Sequence, residues 1–269
     1  MFFKTKDLMT VGNIMGGLVA SFISTEGMRA SSPQEAKTYV FWAGVSILVA
    51  YLFDSLDGVI ARALHQQNKF GGEFDNVADL VAYSIAPGFI IYLTYRQIVF
   101  PGLGMDPTWS MLGAIVLGSI PPVFGCLRFA RFNTFHYDVE GFWLGYPRPA
   151  SALLLVSMVE SELFYFNHWM QLAGIAVIIA IGFMNVSLFP YIGHHGRRFS
   201  RHLGWILIYV AASVAIALVL GLVGWMPKAV VFDIVFLWMF FYLVLNWVDI
   251  PKQTRMQIKA SVNRWKESE

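Results

Sequence analysis

Apolar residues run through the chain in long blocks, and polar residues collect in the gaps between them. A membrane-spanning helix needs about 20 mostly apolar residues at about 1.5 Å rise each. Eight blocks meet that requirement, near residues 8–26, 36–63, 73–99, 108–131, 147–166, 168–190, 203–224 and 228–248. Gly, Pro and charge punctuate the series at Ser31-Ser32-Pro33, Pro101-Gly102, Gly145 to Pro149 and Gly196-Arg197-Arg198. The fifth block is the most interrupted: Glu160 and Glu162 crowd its end, and Asn167 and His168 leave little room for a turn before the sixth. No internal repeat or low-complexity tract is apparent. The pattern predicts an all-α fold, a polytopic integral membrane protein with about eight transmembrane helices over 1–250 and a basic tail over 251–269.

Composition points to the same solvent. Of 269 residues, 57% are hydrophobic and 13% charged, a balance foreign to soluble domains. A net charge of +2 excludes the strongly basic surface that nucleic acid requires. The placement of the charges says more than their sum. With an even number of spans both termini share a side. That side, with the loops after the second, fourth and sixth spans, holds all of the 19 lysines and arginines except Arg29, Lys37, Arg96 and Lys228. The positive-inside rule therefore predicts cytoplasmic termini and a multi-pass protein of the inner, cytoplasmic membrane. Lys4 and Lys6 precede the first block and no small-residue cleavage site follows it, so the block reads as a retained helix.

Smaller features fit that frame. The tail intersperses Met256, Ile258, Val262 and Trp265 among basic residues, as an interfacial helix on anionic lipid does. Trp109, Trp205, Trp225, Trp238 and Trp247 fall near predicted helix ends, where an aromatic belt belongs. Cys126 stands alone in an apolar stretch and reads as a packing residue, with no disulfide or thiolate metal site available. His194 and His195, beside Arg197 and Arg198, read as an interfacial basic patch.

One segment carries chemistry. The second span ends Asp54-Ser55-Leu56-Asp57-Gly58-Val59-Ile60-Ala61-Arg62, and the next opens with Gly71 and runs through Asp75 to Asp79. At about 100° per residue, Asp54, Asp57, Gly58, Ala61 and Arg62 share one helix face, and Asp75 and Asp79 stand one turn apart on the next helix. A short connection makes the two helices an antiparallel pair, so the four carboxylates converge at one membrane surface. Each aspartate near hydrocarbon costs about 2.5–3.5 kcal/mol on insertion scales, and like charges add repulsion. One arginine is too little compensation, whereas one or two divalent ions suffice. Oxygen-only ligation favours Mg²⁺ or Mn²⁺. Such a site suits a diphosphate, whose oxygens the cation bridges. Gly58 and Ala61 would then let a nucleotide lie against the helix, Arg62 would pair with phosphate, and one aspartate, Asp79, would take a proton from an attacking hydroxyl. A cation-coupled transporter would instead place its aspartates at the bilayer midplane and show inverted repeats.

Residues 54 to 79 match position for position the D-x-x-D-G-x-x-A-R-x8-G-x-x-x-D-x-x-x-D signature of the CDP-alcohol phosphotransferases, and the chain resembles that family. The resemblance implies Asp54, Asp57 and Asp75 as metal ligands, Asp79 as ligand and base, and Gly58, Ala61, Arg62 and Gly71 as CDP contacts. It also implies a homodimer. Arg128 to Asn133 and Gly145-Tyr146-Pro147-Arg148-Pro149 are similar to the R-L-A-R-F-N and G-L-P-x-P segments of bacterial phosphatidylserine synthases, and Leu8 to Asn13 resembles their first helix in outline. The motif-bearing core then runs over about 8–190, with CDP-diacylglycerol and L-serine as the implied substrates. Phe129 and Tyr146 replace the usual leucines, which leaves choline, glycerol 3-phosphate and inositol phosphate open as acceptors. Arg128 and Arg131, at i and i+3, suit a clamp on the acceptor's carboxylate, or an anchor at lipid headgroups, and Asn133 suits acceptor binding or a helix cap.

Overall fold

The structure is a computed structural model and describes residues 4, 6–63, 69–134, 142–192, 201–227, 229–245, 256–261 and 263. The helices are α1 (Asp7–Gly27), α2 (Pro33–Ala63), α3 (Lys69–Leu80), α4 (Ala86–Thr94), α5 (Phe100–Gly102), α6 (Pro107–Thr134), α7 (Arg148–Glu160), α8 (Glu162–Phe166), α9 (His168–Val186), α10 (Arg201–Val223) and α11 (Val230–Leu245). Six stretches are long and apolar enough to cross a membrane, and the apolar runs Ala212–Val223 and Val230–Val244 add two shorter ones. The protein is an all-α polytopic membrane protein. Two three-residue strands, β1 (Phe142–Leu144) and β2 (Pro190–Ile192), pair antiparallel outside the helices.

The helices start where their sequences can cap them. Pro33 opens α2 and Pro107 opens α6, where a missing N–H costs nothing, and Asp106 accepts from the Thr108 amide. The predicted fifth span does break at its acidic end. Ser161 turns extended and accepts from Phe164 N at the head of α8, and Asn167 repeats the device for α9 by accepting from Met170 N.

The third span is one continuous rod with two π-helical turns, Val81–Ile85 and Tyr95–Val99, between its α-helical parts. Each turn is followed by a proline, Pro87 and Pro101. A proline inside a helix removes one N–H and collides with the carbonyl four residues back, which here falls on Tyr83 and Gln97, inside the two π turns. The widened turns absorb that misfit. In α6, Pro122 likewise leaves the Gly118 carbonyl without its helical donor, and Gly88 of α4 packs directly against that oxygen.

Close approach at small residues holds the first three spans together. On α1 the buried face recurs every three or four positions, through Thr10, Asn13, Gly17, Ala20, Ser21 and Ser24. A Cβ at Gly16 would meet the Ala50 Cβ at 2.7 Å, and one at Gly17 would meet the Ala82 Cα at 2.6 Å. Without side chains at 16 and 17, α1 lies in the angle between α2 and the first π turn. Apolar side chains from α2, α4, α7, α9 and α11 fill the interior. Large residues such as Phe22, Val116 and Phe183 are exposed on the rim, where lipid would cover them.

Candidate active site at the junction of α2 and α3

The last turns of α2 and the first turns of α3 bring Asp54, Asp75 and Asp79 together. One oxygen from each carboxylate lies within 4.8 Å of the other two. Asp57 borders all three electrostatically and is 9% exposed. Its Oδ2 accepts a 2.7 Å hydrogen bond from the Thr10 hydroxyl. The four expected aspartates therefore form one cluster, with three converging and the fourth tied to α1.

Helix α1 contributes more than the resemblance implied. Asn13 Nδ2 reaches Asp54 Oδ1 and Asp79 Oδ1, both at 3.4 Å, and Tyr83 on the first π turn lies beside Asp54 and Asp79. Thr10 and Asn13 stand one turn apart near the start of α1, on its buried face. Neutral donors at these distances do not compensate four carboxylates. Asp75 Oδ1 and Asn13 Oδ1 are buried with no hydrogen-bond partner among the described residues. An all-oxygen set with unpartnered acceptors fits a hard divalent cation.

The remaining expected residues divide. Gly58, Ala61 and Arg62 lie on the final turns of α2, and their side chains fall outside the described ones. Gly71 is buried in the first turn of α3. His194, His195, Arg197, Arg198 and Trp247 also lie outside the described residues, and of the tail only 256–261 and 263 are described, helical with Ile258 buried.

Arg128 and Arg131 point into a web of carbonyls. Arg128 Nη1 donates to Leu144 O at 2.7 Å and Asn185 O at 2.8 Å. Arg131 donates to Val186 O, Ser187 O and Leu144 O at 2.6, 2.8 and 2.7 Å. Together they tie the end of α6 to the β1 strand and to the exit of α9. Asn133, two residues on, is exposed.

Among the described residues, Arg148, the first residue of α7, pairs with the aspartate cluster. Its Nη1 donates to Asn76 O and its Nη2 to Asn76 Oδ1, both at 3.1 Å, and Nη2 lies 3.5 Å from Asp79 Oδ2. The guanidinium also sits 5.9 Å from the Phe129 ring centre. In the sequence Arg148 is the open position of the G-x-P-x-P segment. Its role emerges from a contact 69 residues distant in the chain.

A family model for CDP-alcohol phosphatidyltransferases matches residues 4–250. The chain belongs to that family. The chain is 27% identical over 218 residues to the CDP-diacylglycerol–serine O-phosphatidyltransferase of Methanocaldococcus jannaschii, covering 81% of this chain and 83% of that one. It is 29% identical over 189 residues to the Helicobacter pylori (strain 26695) protein of the same name, with 69% and 70% covered. The archaetidylserine synthase of Methanothermobacter thermautotrophicus is 25% identical over 195 residues, with 71% and 70% covered. As a CDP-alcohol phosphatidyltransferase the protein is an enzyme, and the aspartate cluster sits on the segment that carries the family signature.

Proposed function

We propose that this protein transfers the phosphatidyl group of CDP-diacylglycerol to L-serine, giving phosphatidylserine and CMP. The observation that carries the reading is the convergence of Asp54, Asp75 and Asp79 at the α2–α3 junction, within a chain whose relatives are named for serine transfer. In this reading Asp54, Asp57, Asp75 and Asp79 hold Mg²⁺ or Mn²⁺, which supplies charge compensation for the diphosphate and the departing CMP. Gly58, Ala61 and Gly71 leave room for the cytidine nucleotide along α2 and α3, and Arg62 pairs with its phosphates.

The serine hydroxyl approaches the phosphorus that bears diacylglycerol. Asp79 receives its proton, the oxygen–phosphorus bond forms, and the bond from that phosphorus to the CMP oxygen breaks with the electron pair leaving on CMP. Asn13, shared between Asp54 and Asp79, fixes the spacing of metal ligand and base, and Thr10 holds Asp57 in its rotamer. Asn133 enters as an exposed polar group near the acceptor's entry, while Arg128 and Arg131 act one step behind the site through the carbonyls they hold. The transmembrane domain spans 1–250, the site faces the cytoplasm with both termini, and the protein works in the inner membrane as a homodimer.

A CMP-release assay tests the acceptor. Purified protein with CDP-diacylglycerol and single alcohols should release CMP with serine and not with choline, glycerol 3-phosphate or inositol phosphate. Release with one of the others and none with serine overturns the acceptor assignment and keeps the phosphatidyl transfer. Single-cysteine labelling of loop positions in intact cells checks the cytoplasmic placement.

A further inference from the structure

The geometry points to Arg148 as the residue that receives the carboxylate of the acceptor and so selects an amino-acid alcohol over a plain one. The inference rests on the serine-transfer reading above and names the group that reads the substrate.

Arg148 is 8% exposed, and its contacts are loose for a buried guanidinium. A charge-assisted pair closes to about 2.7–2.9 Å, whereas Arg148 Nη2 stops 3.5 Å from Asp79 Oδ2. The Asn76 contacts are neutral, and Nε makes no hydrogen bond among the described residues. Nε is therefore a free donor beside the base, and an incoming carboxylate can take Nε and displace the weak 3.5 Å contact of Nη2 to make a two-point pair. Serine supplies one at the right place. Its hydroxyl and carboxylate are separated by two carbons, so a serine that presents its hydroxyl to Asp79 brings its carboxylate against the neighbouring guanidinium.

The fold also holds Arg148 still. Gly145 adopts φ +74°, and a side chain there would meet Asn185 O, Ser187 O and Arg128. Its amide donates to Phe189 O at 2.7 Å, and the Tyr146 amide donates to Met184 O at 2.9 Å. Arg128 and Arg131 grip Leu144 O immediately before. The segment Leu144 to Pro147 is thus fixed to the exit of α9, and Pro147 in extended conformation turns the chain so that α7 begins with Arg148 over Asn76. Arg128 and Arg131 are positioning residues for Arg148.

Ethanolamine is serine without its carboxylate, so it isolates the contact. Steady-state CMP release is measured with serine and with ethanolamine for wild type, Arg148→Gln, Arg148→Lys and Arg131→Gln, with thermal melts in detergent alongside. Loss of one charged hydrogen-bonded contact corresponds to about ten- to hundredfold in affinity. Arg148→Gln should raise the serine KM by that factor, leave the CDP-diacylglycerol KM near wild type, and collapse the serine-to-ethanolamine ratio of kcat/KM. Arg148→Lys should recover part of the ratio, and Arg131→Gln, which loosens the strap that aims Arg148, should lower the ratio less than Arg148→Gln does. If Arg148 only pins Asp79, both of its variants lower kcat for both acceptors and the ratio stays, which overturns the inference while serine transfer by the wild type stands. A wild type inactive with serine overturns the transfer reading and this inference together.

Discussion

Four carboxylates in and around a 4.8 Å cluster repel one another, and the residues around them offer few full hydrogen bonds in return. Replacing Asp54, Asp57 or Asp75 by Asn keeps the shape and removes one unit of charge from the diphosphate's counter-ion site. Each should cost several kcal/mol of transition-state stabilisation, about a thousandfold or more in CMP release, while the protein still inserts. Chelator should do the same to the wild type, with Mg²⁺ or Mn²⁺ restoring turnover, and full turnover in chelator would sink the metal site. Asp79→Asn should lower kcat with little change in CDP-diacylglycerol affinity, because a base acts on the acceptor hydroxyl. Parallel loss of lipid binding would make Asp79 chiefly a ligand. Thr10→Val tests α1. The Thr10 hydroxyl gives Asp57 a 2.7 Å bond, and losing a bond to a charged group costs about 1.5–3 kcal/mol. Mn²⁺ titration followed by electron paramagnetic resonance should show at least tenfold weaker binding, and unchanged affinity would return Thr10 to helix packing. The aspartates were legible in the sequence because helix geometry places i, i+3 and i+4 residues on one face. Asn13 and Arg148 were not, since their partners are 41 to 72 residues away and a sequence shows charge without showing which carbonyls will claim it.

Helices and the turns between them decide which of these side chains meet. The strap from β1 into α7 depends on Gly145, whose left-handed backbone costs an L-residue about 1–2 kcal/mol before any clash is counted. Gly145→Ala also drives a methyl into Asn185 O and Arg128, so it should lower the thermal midpoint in detergent and slow serine transfer more than ethanolamine transfer. A wild-type melt and rate would show that the strap has slack. Ser161→Ala makes the opposite case. It removes the cap of α8, remote from the aspartates, and should cost about 1 kcal/mol of stability with turnover intact. Hydropathy located the spans to within a few residues because each needs a fixed apolar length, and the two acidic residues at the end of the fifth did mark a break. The π turns and the β1–β2 pair escaped it. Pro87 and Pro101 show only that something must yield, and three-residue strands carry too few positions for a period to emerge.

Across the whole molecule, α11 joins parts of the bundle that the signature segment does not reach. Its first half packs on α7 and α2: Phe232 is 1% exposed, sits edge-on to Phe41 with ring centres 5.7 Å apart, and fills the space that a side chain at Gly44 would need. Its second half meets the strap, where Tyr146 donates to Met239 O at 3.3 Å and lies 5.9 Å, ring to ring, from Tyr242. The two halves should therefore answer mutation differently. Phe232→Ala empties a packed site between three helices. In a water-soluble core this change costs about 3–5 kcal/mol, but in lipid the transfer part of that cost is largely absent and lost van der Waals contact remains, so roughly 1–3 kcal/mol is expected. The thermal midpoint in detergent should fall, and CMP release measured well below that midpoint should stay within about twofold of wild type. Tyr242→Ala removes support from the strap that aims Arg148. It should slow turnover even where the protein is fully folded, and raise the serine KM more than the lipid KM. Loss of activity in Phe232→Ala at temperatures where its melt shows an intact fold would mean that the first half of α11 also holds the catalytic helices in register. A Tyr242→Ala enzyme with unchanged serine kinetics would confine α11 to stabilising the bundle.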